Sequence, residues 1–178
     1  MQFDLIPHPS TPLSAPFKLW AHVDYAGAFG ASATCNIWFG IGAPPARFVI
    51  PPAAAGPQRR GELWQTTCFE AFVQPEGKTA YREYNFAPSG DWAAYDFSAP
   101  REGMTEAPLT NPPYVRMEDN LTWWTLGATF AMEAGRHWRL GLSAVIEEVG
   151  GTKSYWALAH GGDRPDFHDP SCFTARLG

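Results

Sequence analysis

Residues 66–97, TTCFEAFVQPEGKTAYREYNFAPSGDWAAYDF, hold three alternating apolar–polar segments divided by two turn signals. Thr66 to Gln74 runs into Pro75-Glu76-Gly77, Lys78 to Phe86 into Pro88-Ser89-Gly90, and Asp91 to Phe97 closes the stretch. Alternation with period two marks half-buried strands, and Pro and Gly supply the turn conformations between them. This spacing predicts an antiparallel meander, and the rest of the chain repeats its pattern. Phe17, Leu19, Ala21, Val23 and Tyr25 alternate with polar neighbours, as do Ala31, Ala33, Cys35, Ile37, Phe39 and Ile41. Ala46 to Ile50 reads as a short strand ended by Pro51-Pro52. Further strands are expected at Tyr114 to Glu118, Leu121 to Met132, Arg136 to Glu147 and Thr152 to His160. Glu133-Ala134-Gly135 and Val149-Gly150-Gly151 read as hairpin turns, and the tail from Gly161 as turn-rich with a short helical turn.

Composition agrees with that pattern. The 178 residues include 17 Gly and 17 Pro, 12 Phe, 8 Trp and 6 Tyr, and only 17% are charged. Such a chain buries a sizeable core and excludes disorder, and its turn-formers and aromatics favour strands over helical bundles. An antiparallel sheet of that many strands must close or stack. The expected fold is all-β, an antiparallel β-sandwich of the immunoglobulin-like or jelly-roll kind spanning residues 1–178 as one domain, with a barrel as the alternative.

Net charge −5 argues against nucleic acid or an anionic membrane as partner. The uncharged run from Tyr25 to Ala46 is long enough to span a bilayer, but its Gly and Pro content and its period of two make it a strand. The first residues lack a basic flank and an uninterrupted apolar core, so no signal peptide is expected. Cys35, Cys68 and Cys172 form no CxxC pair. A cytoplasmic protein with reduced thiols follows, with no disulfide framework or zinc knuckle.

With tight turns, Glu70 would lie opposite Glu83, Phe72 opposite Tyr81 and Cys68 opposite Asn85. Asn85 would then stand beside Trp92, and Tyr81 beside Asp96. One sheet face would carry Cys68, Glu70, Phe72, Tyr81, Glu83, Asn85, Trp92, Ala94 and Asp96. The other would carry Phe69, Ala71, Val73, Ala80, Arg82, Tyr84, Phe86, Ala93, Tyr95 and Phe97, and is the core face despite Arg82. A one-residue slip would exchange these faces. Like charges across a ladder destabilise it, so the Glu pair needs a cation, a base such as Arg139, a shared proton or a hydroxylated ligand. Aromatic rings interleaved with carboxylates and an amide suit a sugar, whose C–H faces stack on the rings while its hydroxyls bind the polar groups. An ordinary solvated face is the competing reading. Paired Glu residues also occur in glycoside hydrolysis. The run His160 to Asp169 contains metal-ligand residue types but reads better as an Asx-capped loop. Met104, Met117 or Met132 could pair with His around haem, although no CxxCH motif is present.

Three blocks resemble the bacterial DOMON-like proteins: Leu63 to Phe72 (LWQTTCFEAF), Tyr84 to Tyr95 (YNFAPSGDWAAY), and Ser154 to His160 with Pro165 to His168. That group includes the family 9 carbohydrate-binding modules and related cytochrome domains. The resemblance implies a β-sandwich holding a sugar or small-molecule ligand or, in other branches, haem. It implies binding rather than catalysis. Trp64 and Trp156 look like the stacking tryptophans of the carbohydrate-binding branch, and Glu70 matches its acidic position. Thr66-Thr67 stands where acidic residues would serve calcium, which argues against that ion. The ligand-binding set expected from residues and resemblance together is Trp64, Glu70, Tyr81, Glu83, Asn85, Trp92 and Trp156.

Overall fold

Alternating burial along the strands builds the molecule. The structure is a computed structural model, and it describes residues 1–26 and 32–178. Twelve strands are present among the described residues. They are β1 (Gln2–Pro7), β2 (Leu19–Ala26), β3 (Ser32–Ile41), β4 (Cys68–Pro75), β5 (Tyr81–Phe86) and β6 (Trp92–Phe97), then β7 (Thr105–Glu106), β8 (Tyr114–Asp119), β9 (Trp124–Glu133), β10 (Trp138–Glu147), β11 (Lys153–Ala157) and β12 (Ala175–Leu177). All pairings between them are antiparallel. The order is β7-β6-β5-β4-β10-β11-β1-β2-β3-β9-β8, with β12 beside β10.

Strand β1 makes this one curled sheet rather than two separate ones. Its first half, Gln2 to Leu5, pairs with β2, and Ile6-Pro7 pair with β11. The curl lays β2, β3, β9 and β8 over β6, β5, β4 and β10, giving an antiparallel β-sandwich. Between the layers, Cys35, Ile37, Phe39 and Ile41 of β3 meet Phe69, Ala71 and Val73 of β4, with Trp124 and Leu126 of β9 and Leu140 and Leu142 of β10. The Phe39 and Phe69 rings lie 4.9 Å apart at the centre. Aromatic packing of this kind supplies large burial with favourable tilted geometry. The alternation expected for β2, β3 and β9 is present, whereas β10 is buried on both faces from Leu140 to Ile146. Ala31, counted with β3 from the sequence, lies outside the described residues.

Several local expectations fail for identifiable reasons. Ala46 to Ile50 is not a strand: Pro45–Arg47 forms a 3-10 turn, and only Phe48 makes a single bridge, to Glu148. Pro44 and Pro45 lack the N–H that a ladder needs, and their fixed φ suits the turn. Glu133-Ala134-Gly135 is not a hairpin. It carries the chain from β9 in one layer to β10 in the other. Val149-Gly150-Gly151 does close a hairpin, with Glu147 opposite Lys153.

The outward face of the β4–β5–β6–β10 layer differs most from a solvated sheet. The C-terminal segment folds back across it: Phe173 stacks on Phe72 at 5.4 Å and is fully buried, with Cys172 and Phe167 beside it. Gly141 permits this approach, since a Cβ there would stand 2.4 Å from the Phe173 ring. Burial on both faces leaves β4 buried at every position but its last.

Candidate functional site

Strands β4, β5 and β10 set two carboxylates at the floor of a cleft in this covered face. Glu70 pairs across the ladder with Asn85 and with Ser143, and Glu83 pairs with Phe72. The two glutamates are thus diagonal neighbours on one face rather than directly opposed. Both are nearly excluded from water, at 4% and 6% exposure. Ser143 Oγ donates to Glu70 Oε2 at 2.9 Å, and Asn85 Nδ2 donates to Glu83 Oε1 at 2.6 Å. Burial pushes the Glu70 carboxyl up to about 8, and the nearby Glu83 charge pushes the same way. Burial also raises Glu83, against the pull of the Asn85 hydrogen bond and Arg101. Two such groups hold a proton between them near neutral pH.

The walls are aromatic. Trp64 stands on a 3-10 turn, Leu63–Gln65, whose buried Leu63 anchors it while the indole remains 53% exposed. Tyr95 and Phe97 of β6, Tyr155 of β11 and Phe167 of the C-terminal segment complete a cleft of about 620 Å³, with Arg101 and Met104 at its rim. Glu62 and Arg101 also line it, and both have φ 61°. These are the non-glycine residues with left-handed backbone among those described. Strain of this kind concentrates at functional sites, held there by surrounding contacts.

A hydrogen-bond chain orients His168. The Arg101 backbone N–H donates to Tyr81 Oη at 3.3 Å, and that hydroxyl shares a hydrogen bond of 2.6 Å with His168 Nδ1. The other ring nitrogen, Nε2, faces Glu83 Oε2 at 3.7 Å. Burial, helped by the Arg101 charge, holds His168 down to about 4, so it is neutral near pH 7. Arg101 in turn donates through Nε and a terminal nitrogen to Asp166 Oδ1, at 3.2 and 2.7 Å. The Asp166 carboxyl is held below its usual value despite its partial burial, by this hydrogen bond and charge.

The seven residues expected from sequence separate into three groups. Trp64, Glu70 and Glu83 line the cleft. Asn85 and Tyr81 lie behind it, one bonded to Glu83 and the other to His168. Trp92 and Trp156 are absent from it, both packed in the core between the layers. The Trp156 indole N–H donates to Ser154 Oγ at 2.9 Å, and Arg59 covers Trp92 at 4.7 Å. The indole neighbouring the cleft in sequence, Trp156, points inward, and the adjacent Tyr155 points outward.

The two hairpins explain the difference. In β4–β5, Val73 pairs with Arg82 and Phe69 with Phe86, two residues from the tight-turn register, which preserves the faces. In β5–β6, Phe86 pairs with Trp92 and Tyr81 with Phe97, one residue from the expected register. The chain from Ala87 to Asp91 turns through Gly90 at φ 92°, with the Ala87 N–H bonded to Asp91 O. That one-residue slip moves Trp92, Ala94 and Asp96 inward and Tyr95 and Phe97 outward. Asp96 instead binds Arg82 through two bonds, at 2.6 and 2.8 Å. Arg139 does not reach the Glu pair: it donates to Gln74 Oε1 and to the Phe173 and Pro170 carbonyls. In the His160 to Asp169 segment, Asp169 accepts from the Ser171 N–H, Asp166 holds Arg101, and His160 Nε2 contacts Ile6 O. Met104 is at the cleft rim, whereas Met132 is buried and Met117 packs against the core.

No protein-family model matches the sequence, and no curated protein matches it. Solved structures share its fold. A provisionally named carbohydrate-binding protein from Bacteroides uniformis superposes with a TM-score of 0.60 at 15% identity, over 98% of this chain and 85% of that one. A family 9 carbohydrate-binding module from Caldicellulosiruptor kristjanssonii, in complex with glucose, gives 0.53 at 10% identity, over 98% and 82%. With cellotriose bound, a module of that family from the same organism gives 0.51 at 9%, over 98% and 80%. The chain therefore has the β-sandwich fold of these carbohydrate-binding modules.

Proposed function

We propose that residues 1–178 form a single non-catalytic carbohydrate-binding domain whose sugar site is the cleft over Glu70 and Glu83. One observation carries this reading: a buried, hydrogen-bonded carboxyl pair lies at the bottom of an aromatic-walled cleft. Rings present apolar faces to the C–H groups of a pyranose, and the half-protonated pair offers both a donor and acceptors to its hydroxyls. The fold shared with sugar-bound modules supports the reading, as does the DOMON-like resemblance of the Trp64 and Glu70 block. In this site Trp64 and Tyr155 are the stacking walls, and Glu70 and Glu83 are the hydroxyl partners. Asn85 and Ser143 orient those carboxyls, and Trp92 and Trp156 hold the fold.

Fluorescence titration of the wild type and Trp64→Ala with glucose and cellotriose tests the proposal. Saturable binding is expected in the wild type, weakened by about 1–3 kcal/mol in Trp64→Ala, the scale of an anchoring aromatic contact. No saturable response to either sugar would count against it, as would unchanged affinity in the variant.

A further inference from the structure

The cleft floor carries two acidic side chains whose open positions lack a cationic partner. Glu70 Oε2 accepts from Ser143, and Oε1 takes no hydrogen bond among the described residues. Glu83 Oε1 accepts from the neutral Asn85 amide, and its Oε2 faces a neutral imidazole. Nearby cations are engaged elsewhere. Arg101, at the rim, is bound to Asp166. Lys153 on β11 donates to the Gln65 carbonyl and lies 3.8 Å from Glu147. Arg139 on β10 is held by Gln74 and two backbone carbonyls. Glu62 adds a further acid at the edge, Tyr95 lines the cleft with a neutral hydroxyl, and the Tyr81 hydroxyl, also neutral, lies behind it against His168.

A buried pair in this position has no cation in contact with it: the Ser143 and Asn85 hydrogen bonds, the more distant Arg101 charge and a held proton balance it in the free protein. A ligand bringing its own positive charge would replace that proton. The walls favour the same chemistry, because aromatic faces attract cations through their quadrupoles. A neutral sugar uses the rings but leaves the charge of the pair unanswered. Resting on the sugar-binding reading, we propose that the preferred ligand is a sugar with a free amino group, its ammonium seated against Glu70 and Glu83. Binding would then release a proton from the pair. Its strength should also fall in acid, where both carboxyls are protonated and no longer attract the ammonium.

Isothermal titration calorimetry near pH 6.5 with glucosamine, glucose and N-acetylglucosamine tests this, each titration run in two buffers of unlike ionisation enthalpy. Glucosamine is expected to bind roughly tenfold tighter than the other two, the scale of one added charge-assisted contact. Its heats should differ between buffers in proportion to proton release. In Glu70→Gln and Glu83→Gln, whose neutral amides retain the side-chain shape, the preference for glucosamine should shrink toward onefold. Equal binding of glucosamine and glucose would overturn this inference and leave the sugar site standing. Binding of none of the three would overturn both. A preference that survives in both Gln variants would overturn the assignment of the ammonium to this pair. The wild-type comparison needs no variant to fold, and thermal melts establish whether the two substitutions leave the fold intact.

Discussion

Replacing Glu70 by Gln should remove a loss of stability that the wild type suffers above neutral pH. Burial raises the Glu70 carboxyl to about 8, so the folded state binds its proton more tightly than the unfolded chain does. The stability tied to that proton is present below the ordinary carboxylate range and is lost as pH climbs through the folded value. His168 acts with opposite sign. Its folded value, near 4, lies below its ordinary 6.5, so it costs stability as pH falls through that range. The two slopes oppose each other in mild acid, which leaves pH 6.5 to 8 as the clean window for the carboxyl. A shifted group contributes about 1.4 kcal/mol per pH unit, so the wild type should lose about 2 kcal/mol across that window. Glu83, raised in the same direction, can only add to the loss. For a chain this long the melting temperature should drop by roughly 4–8 °C. Urea unfolding at closely spaced pH values measures it. Glu70→Gln carries no charge to bury at that position and keeps only the contribution of Glu83, so it should fall much less than the wild type from pH 6.5 to 8 and converge with it in acid. A wild-type curve flat across the window would refute the reasoning, as would a variant that falls as steeply.

Further outcomes follow from the packing. Phe173→Ala should cost about 3–5 kcal/mol, because this fully buried ring ties the C-terminal segment to Phe72; urea melts would show it. Gly141→Ala should destabilise by about 1–3 kcal/mol, since the new methyl would meet the Phe173 ring and force it to shift. In thermal and urea melts, Trp156→Ala should lose about 3–5 kcal/mol while Trp64→Ala stays within about 0.5 kcal/mol of wild type, reversing any expectation that the two rings are equivalent. The three cysteines are free and buried, so a thiol reagent should label none in the native protein and all three in urea.

Period-two alternation revealed the sandwich because each strand with one face in the core carries its apolar residues at every second position. The same signal failed where both faces are buried. In β4 and β5 the outward face holds Glu70, Phe72 and Glu83 under the C-terminal segment, and nothing local in Thr66 to Phe86 says that a distant Phe173 will cover it. The glutamates are legible in the sequence because their mutual parity survives a two-residue shift. Trp92 is not, because a one-residue difference in the Ala87 to Asp91 loop reverses every side chain of β6, and tight-turn geometry does not decide between the two loop lengths. The same slip hides Tyr95 and Phe97. Arg101 and His168 come from irregular segments whose residues meet the sheet only in three dimensions, and no periodicity marks them. The resemblance places Trp156 among the stacking residues, yet strand parity assigns the cleft side to Tyr155.

The most direct test of the sugar site is a nitrogen–proton NMR titration that follows the indole N–H resonances of the eight tryptophans, assigned by single substitution, as glucose is added. The account predicts that the Trp64 resonance shifts in a saturable way while those of Trp92, Trp124 and Trp156, buried between the layers, stay in place. A Trp64 resonance unmoved at sugar concentrations that shift other sites, or a set in which Trp156 moves and Trp64 does not, would contradict it.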